Sequence, residues 1–292
     1  MRIEERKPVR IFTAPRASDG DGVELRRAFP GVALSDLDPF LLLDQMGPMD
    51  FAPGDPRGFP PHPHRGFETV TYLLSGEMQH RDSWGNRGTL RPGDVQWMTA
   101  GLGLVHSEMP GQGLVREGGR LHGFQLWVNL PRRDKMTAPR YQDTASARIP
   151  VARTAGAEVE AKVIAGEALG AKGVIETRIP ILYLHLTLAP GADFTQAVPG
   201  SHNALAYVIE GAGTFGGEAA KQNQVAVFDR GKPGSEGPIR VVNTGTAPLS
   251  FLLIAGEPIG ETVARYGPFV MNTREEVIQA VEDFRSGKMG EL

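Results

Sequence analysis

Short runs of apolar residues, broken by glycine, proline and small polar residues, recur along the whole chain. Val9–Thr13, Glu68–Leu74, Val95–Met98, His122–Val128, Ile181–Leu188, Leu205–Ile209, Val225–Phe228 and Leu249–Ile254 are of this kind. Each has strand length, and turn residues bound most of them, as in Ser75-Gly76-Glu77, Trp84-Gly85-Asn86 and Arg91-Pro92-Gly93-Asp94. Many short strands without long helices between them predict an all-β sandwich or barrel. Tyr207-Val208-Ile209-Glu210-Gly211 echoes Tyr72-Leu73-Leu74-Ser75-Gly76, which suggests one β-unit used twice. The break falls after Trp127-Val128-Asn129-Leu130-Pro131, where the charged segment Arg132–Asp143 reads as a solvated linker. The last element reads as a helix. Thr273 and Glu276 have capping-box spacing, Val277, Ile278, Val281 and Phe284 predict its apolar face, and Gly287 stops it.

Composition narrows the function. With 40% hydrophobic and 22% charged residues in 292, the chain has the make-up of a soluble globular protein with room for two domains. A net charge of −3 and the lack of a large basic block argue against direct nucleic-acid binding. No run is long enough for a membrane span, and Met1-Arg2-Ile3-Glu4-Glu5-Arg6-Lys7 leads into no apolar signal stretch, so a cytoplasmic location is expected. There is no cysteine, which excludes disulfides and thiolate ligands.

The chemistry concentrates in two couples. His62 and His64 stand two apart, and so do His106 and Glu108. Residues i and i+2 share a face of a strand, so two such strands side by side would gather three imidazoles and a carboxylate. That donor set suits a divalent first-row metal. Imidazole accommodates Zn, Cu, Fe or Ni, and the carboxylate shifts the balance towards Fe or Mn. Glu68, four residues after His64, competes with Glu108 for the carboxylate position; Glu108 is preferred because it pairs with His106.

His62-Pro63-His64-Arg65-Gly66-Phe67-Glu68-Thr69-Val70 resembles the signature of the pirin family. So do Gly93-Asp94-Val95-Gln96-Trp97-Met98-Thr99-Ala100-Gly101, running on to His106-Ser107-Glu108-Met109-Pro110, and Gly267-Pro268-Phe269-Val270-Met271-Asn272-Thr273. The resemblance implies two tandem cupin domains, each a jelly-roll β-barrel, with a C-terminal α-helix. Residues 1–135 would form the N-terminal metal-binding cupin. Residues 136–292 would form a C-terminal cupin without metal, ending in the helix. It implies one metal, Fe(II) foremost with Mn, Ni, Cu or Zn as alternatives, on His62, His64, His106 and Glu108. The expected activity is quercetin 2,3-dioxygenase-like cleavage of a flavonol with O2, with Glu108 or Glu68 taking the substrate's proton. The alternative is a metal- or redox-sensing regulator that binds a protein partner.

Overall fold

The computed structural model describes residues 4–231 and 234–292; Met1, Arg2 and Ile3 of the N-terminal run lie outside them. All eight expected strands are present, several of them longer than the apolar run alone. His122–Val128, for example, is the middle of Gly119–Asn129. The chain divides into two compact units.

The first unit comprises Pro15–Asp36, Phe40–Ser146 and Ile259–Leu292. One sheet has the strand order Arg140–Thr144, Val95–Thr99, Phe67–Ser75, Gly119–Asn129, Phe40–Phe51, Val23–Phe29, Arg16–Asp19. Its four-stranded companion runs Phe59–His64, Leu104–Pro110, Met78–Asp82, Arg87–Leu90. The second unit takes the segment up to Ala14, Leu37–Pro39 and Ala147–Pro258. Its seven-stranded sheet runs Pro8–Thr13, Gln224–Phe228, Asn203–Glu210, Leu249–Gly256, Ile181–Leu188, Val159–Ala165, Val151–Arg153. The four-stranded one runs Asp193–Gln196, Ile239–Val242, Ala212–Phe215, Glu218–Lys221. The two strand orders match position for position, which makes both units jelly-roll cupin barrels. The echo around the turn glycines is part of this repeat. Gly76 (φ 88°) and Gly211 (φ 83°) end equivalent strands, and a Cβ there would stand 2.7 Å from the Arg120 carbonyl oxygen and 2.6 Å from that of Pro248.

The division differs from a cut at residue 135. Pro8–Thr13 pairs with Gln224–Phe228 and so belongs to the second barrel. The terminal helix, Arg274–Arg285, belongs to the first. Ala280 and Met289 pack with Val105 and Phe269, and Arg65 donates to Asp283 at 2.8 Å. The capping box is formed as expected, but the buried face is the expected one only at Val277 and Val281. Val277, Ala280 and Asp283 are buried while Ile278 and Phe284 are 48% and 38% exposed, because Asp283 turns inward to Arg65.

Arg132–Asp143 is likewise no solvated linker. Lys135 is 1% exposed, and its ammonium donates to the Gly66 carbonyl (2.9 Å), Asn129 Oδ1 (2.7 Å) and the Val270 carbonyl (3.0 Å). Arg140–Thr144 continues the first sheet beyond Val95–Thr99. Among the described residues, no helix is long and apolar enough to cross a membrane.

Candidate metal centre

The Phe59–His64 strand carries Pro60, Pro61 and Pro63, which lack the N–H an interior strand would need. It accordingly lies at the edge of its sheet, paired only with Leu104–Pro110. In that ladder His106 stands opposite His62 and Leu104 opposite His64. The i, i+2 rule turns His62 and His64 to the same face, where His106 meets them. Ring centroids are separated by 4.7 Å (His62–His64), 4.4 Å (His62–His106) and 4.8 Å (His64–His106). One nitrogen from each of the three lies within 4.8 Å of the others, and among the described residues this is the group able to hold a metal ion.

The trio fits a cation. His62 Nδ1 donates to the Pro60 carbonyl at 2.8 Å, which leaves its Nε2 with a lone pair, and that atom lies 3.0 Å from His64 Nε2. His106 is fully buried, yet among the described residues neither of its ring nitrogens has a hydrogen-bond partner. Buried polar atoms are rarely left in this state, and an ion between the rings would take up the one nitrogen of each ring that faces it. Burial, with the neighbouring imidazoles adding to it, holds His64 and His106 well below the usual histidine range. They are therefore neutral and able to ligate.

Glu108 and Glu68 are placed very differently. Glu108 lies two residues beyond His106 on the same face, 2% exposed. It is not within the imidazole cluster itself. Thr71 Oγ1 and Gln125 Nε2 each donate to one of its oxygens at 2.9 Å, and Trp127 Nε1 donates to Gln125 Oε1 at 3.1 Å. Glu68 sits on the other side of its sheet. It is three residues from Thr71 in one regular strand, hence on the opposite face, and accepts from Thr99 Oγ1 at 2.6 Å. The expectation that parity would carry from His64 to Glu68 fails at Gly66. There the chain leaves the first strand at φ 89°, against the Val270 carbonyl, and starts a new strand at Phe67.

His62 and His64 open on a cavity of about 470 Å³. Its apolar wall includes Leu42, Met46, Phe59 and Trp127, and its polar wall Asp19, Arg27, Asp44 and Arg265. Arg27 Nε and Nη2 grip Asp44 at 2.9 and 2.7 Å, and Nη2 also reaches Asp19 at 2.7 Å. Burial pushes the Asp44 carboxyl up, against the pull of Arg27. The Arg265 guanidinium lies 4.9 Å above the Trp127 ring.

The three tryptophans have three different surroundings. Trp97 is fully buried, Trp84 is 54% exposed and Trp127 walls the cavity. His80 pairs with Asp143 at 3.2 Å, away from the cavity. His122 is a satisfied structural histidine, 2.8 Å from Gln45 Nε2. Arg27, Asp44 and Arg265 carry no local sequence signal. Each is one charged residue in an ordinary strand, and only the sheet order brings them together.

A profile of the Pirin family matches residues 22–128, and one of the Pirin C-terminal cupin domain matches residues 183–290. A pirin-like protein of Solanum lycopersicum is 46% identical over 290 residues, covering 96% of this chain and 95% of its own. Homo sapiens Pirin is 45% identical over 278 residues, covering 94% and 90%. Among solved structures, a quercetin 2,3-dioxygenase from Acinetobacter baumannii superposes with a TM-score of 0.90 at 37% identity, over 98% of this chain and 99% of that one. With these relatives along nearly its whole length and a matching pair of cupin barrels, the chain belongs to the pirin family.

Proposed function

We propose that this protein is a metal-dependent dioxygenase that cleaves a flavonol such as quercetin with O2, releasing carbon monoxide. The observation that carries the reading is the cluster of three imidazoles, His64 and His106 buried and neutral and His62 half-buried beside them, at a cavity walled by Trp127. The likeness to a structure named quercetin 2,3-dioxygenase supports it. His62, His64 and His106 would hold the metal, Fe(II) first among the candidates, with Glu108 as the carboxylate donor beside them. Each Glu108 oxygen accepts one hydrogen bond from its neighbours and keeps a further lone pair. When bound, the metal supplies Lewis-acid attraction for the hydroxyl and carbonyl edge of the flavonol and an electronic route to O2.

The rest is the work of this chain's side chains. Trp127 and Leu42 offer a flat apolar wall to a planar ring system. The Arg27–Asp44 pair faces the cavity with groups that can bond ring hydroxyls. Glu108, oriented by Thr71 and Gln125, takes the hydroxyl proton as the substrate binds. Gln125 links this carboxylate to Trp127, so the proton acceptor and the ring wall are set in one geometry.

The test is turnover by purified, metal-loaded protein given quercetin and O2. Flavonol absorbance should fall, carbon monoxide should appear, and both should stop with chelator or with His62→Ala. No carbon monoxide from iron-, manganese-, nickel- or copper-loaded protein would overturn the dioxygenase reading and leave the metal-sensing regulator in its place.

A further inference from the structure

The second barrel repeats the strand order of the first, so its own cavity can be compared with the metal centre. Counting back equal distances from the equivalent turn glycines, Gly76 and Gly211, pairs His62 with Ala197 and His64 with Pro199. Both replacements line a concave site of about 600 Å³. The place that carries imidazoles in the first barrel is thus kept open in the second, with its metal donors replaced by an apolar methyl and a proline ring. Ile175, Ile181 and Leu182 form the buried part of the wall, and Val174, 44% exposed, stands at the opening. The charged residues of the lining are at the rim. Lys172 and Glu167 lie 3.6 Å apart with side chains 80% and 69% exposed.

Among the buried residues of the lining, one is polar. His202 lines the cavity and is 7% exposed, and its Nδ1 has no hydrogen-bond partner among the described residues. Its backbone is fixed from behind. The buried Arg6 guanidinium donates to the His202 carbonyl at 2.8 Å and to the Pro199 carbonyl. Burial lowers the pKa of His202, so the ring is neutral and offers one N–H and one lone pair. A buried polar atom fixed at a cavity wall without a partner is a point where a bound molecule can supply one.

We propose that the second barrel is a metal-free binding site for an uncharged, mainly apolar small molecule whose hydroxyl bonds the His202 imidazole, phenols being the class that fits. A hydroxyl can donate to or accept from the Nδ1 edge of the neutral ring, whichever tautomer it holds, and a planar apolar body suits walls of isoleucine, leucine and proline. A carboxylate of the same size would lose its hydration against those walls, with no cation among the buried lining residues to compensate.

The experiment is a fluorine NMR titration of the full-length, metal-loaded protein with 4-fluorophenol, and in parallel with 4-fluorobenzoate. Line broadening should report phenol binding, at least tenfold tighter than the benzoate. His202→Phe should weaken it about fivefold, the value of one ordinary hydrogen bond. Ala197→Trp, a change at an exposed position, should abolish it by filling the cavity, and metal content should be unchanged in both variants. No broadening with the wild type, equal binding of the benzoate, or affinity unmoved by either substitution would overturn the proposal. A crystal soaked with 4-bromophenol gives an answer that needs no variant. A bromine peak beside His202 is expected, and a peak confined to the first barrel would refute the site.

Discussion

Lys135→Met tests how the metal-bearing corner is held. The ammonium of Lys135 bonds three acceptors, among them the carbonyl of Gly66, two residues beyond His64. Methionine fills much the same volume and leaves all three acceptors without this donor. At about 2 kcal/mol for each orphaned acceptor the gross loss is about 6 kcal/mol. Against that, the variant no longer buries a charge. Burial drags the Lys135 pKa from 10.5 to about 8, which at about 1.4 kcal/mol per unit corresponds to roughly 3 kcal/mol recovered. The net expectation is a loss of about 3 kcal/mol, a large part of the roughly 5–15 kcal/mol that a protein typically has. Urea unfolding at pH 7 should show a lower midpoint with an unchanged slope. The difference should also depend on pH. Between about 8 and 10.5 the unfolded chain holds the lysine proton that the folded chain has released, so wild-type stability relative to the variant rises with pH through that window. A loss under about 1 kcal/mol at pH 7, or a difference flat from pH 8 to 10.5, would refute the reasoning.

Two further substitutions separate the roles of neighbouring residues. Glu108→Gln should lower metal retention in dialysis against chelator by about tenfold, while Glu68→Gln, on the opposite face of its sheet, should retain it; the reverse order would mean the carboxylate was misassigned. Thr273→Ala removes the side chain that accepts from the Glu276 N–H at 3.2 Å. It should cost about 1 kcal/mol in urea unfolding, and no measurable change would show that the capped helix end contributes nothing to the first barrel.

What could be read from the sequence follows from what is local. The strands were legible because short apolar runs and turn residues are local signals. His62, His64 and His106 were legible because i, i+2 parity needs only one regular strand on each side of the ladder. The same parity misled at Glu68, since it assumes an unbroken strand and Gly66 breaks it. Lys135 was hidden in a charged run, where nothing nearby in sequence announces that Gly66 and Val270 will supply its acceptors. The helix face was misread in part for the same reason: Asp283 looks like a solvent residue until Arg65 is brought beside it. The polar wall of the cavity combines Arg27 and Asp44 with Arg265 from near the end of the chain, and no window of sequence contains all three.

The central claim is that three clustered imidazoles hold one catalytic metal, and metal analysis of the purified protein beside its His106→Ala variant tests it most directly. His106 is fully buried with both ring nitrogens unpartnered among the described residues, so its removal takes away a donor that has no other task there. The account predicts about one equivalent of a divalent transition metal per wild-type chain and little in the variant, with the fold of both unchanged by circular dichroism. Full metal retention by folded His106→Ala protein, or a wild-type chain that takes up no transition metal, would contradict it.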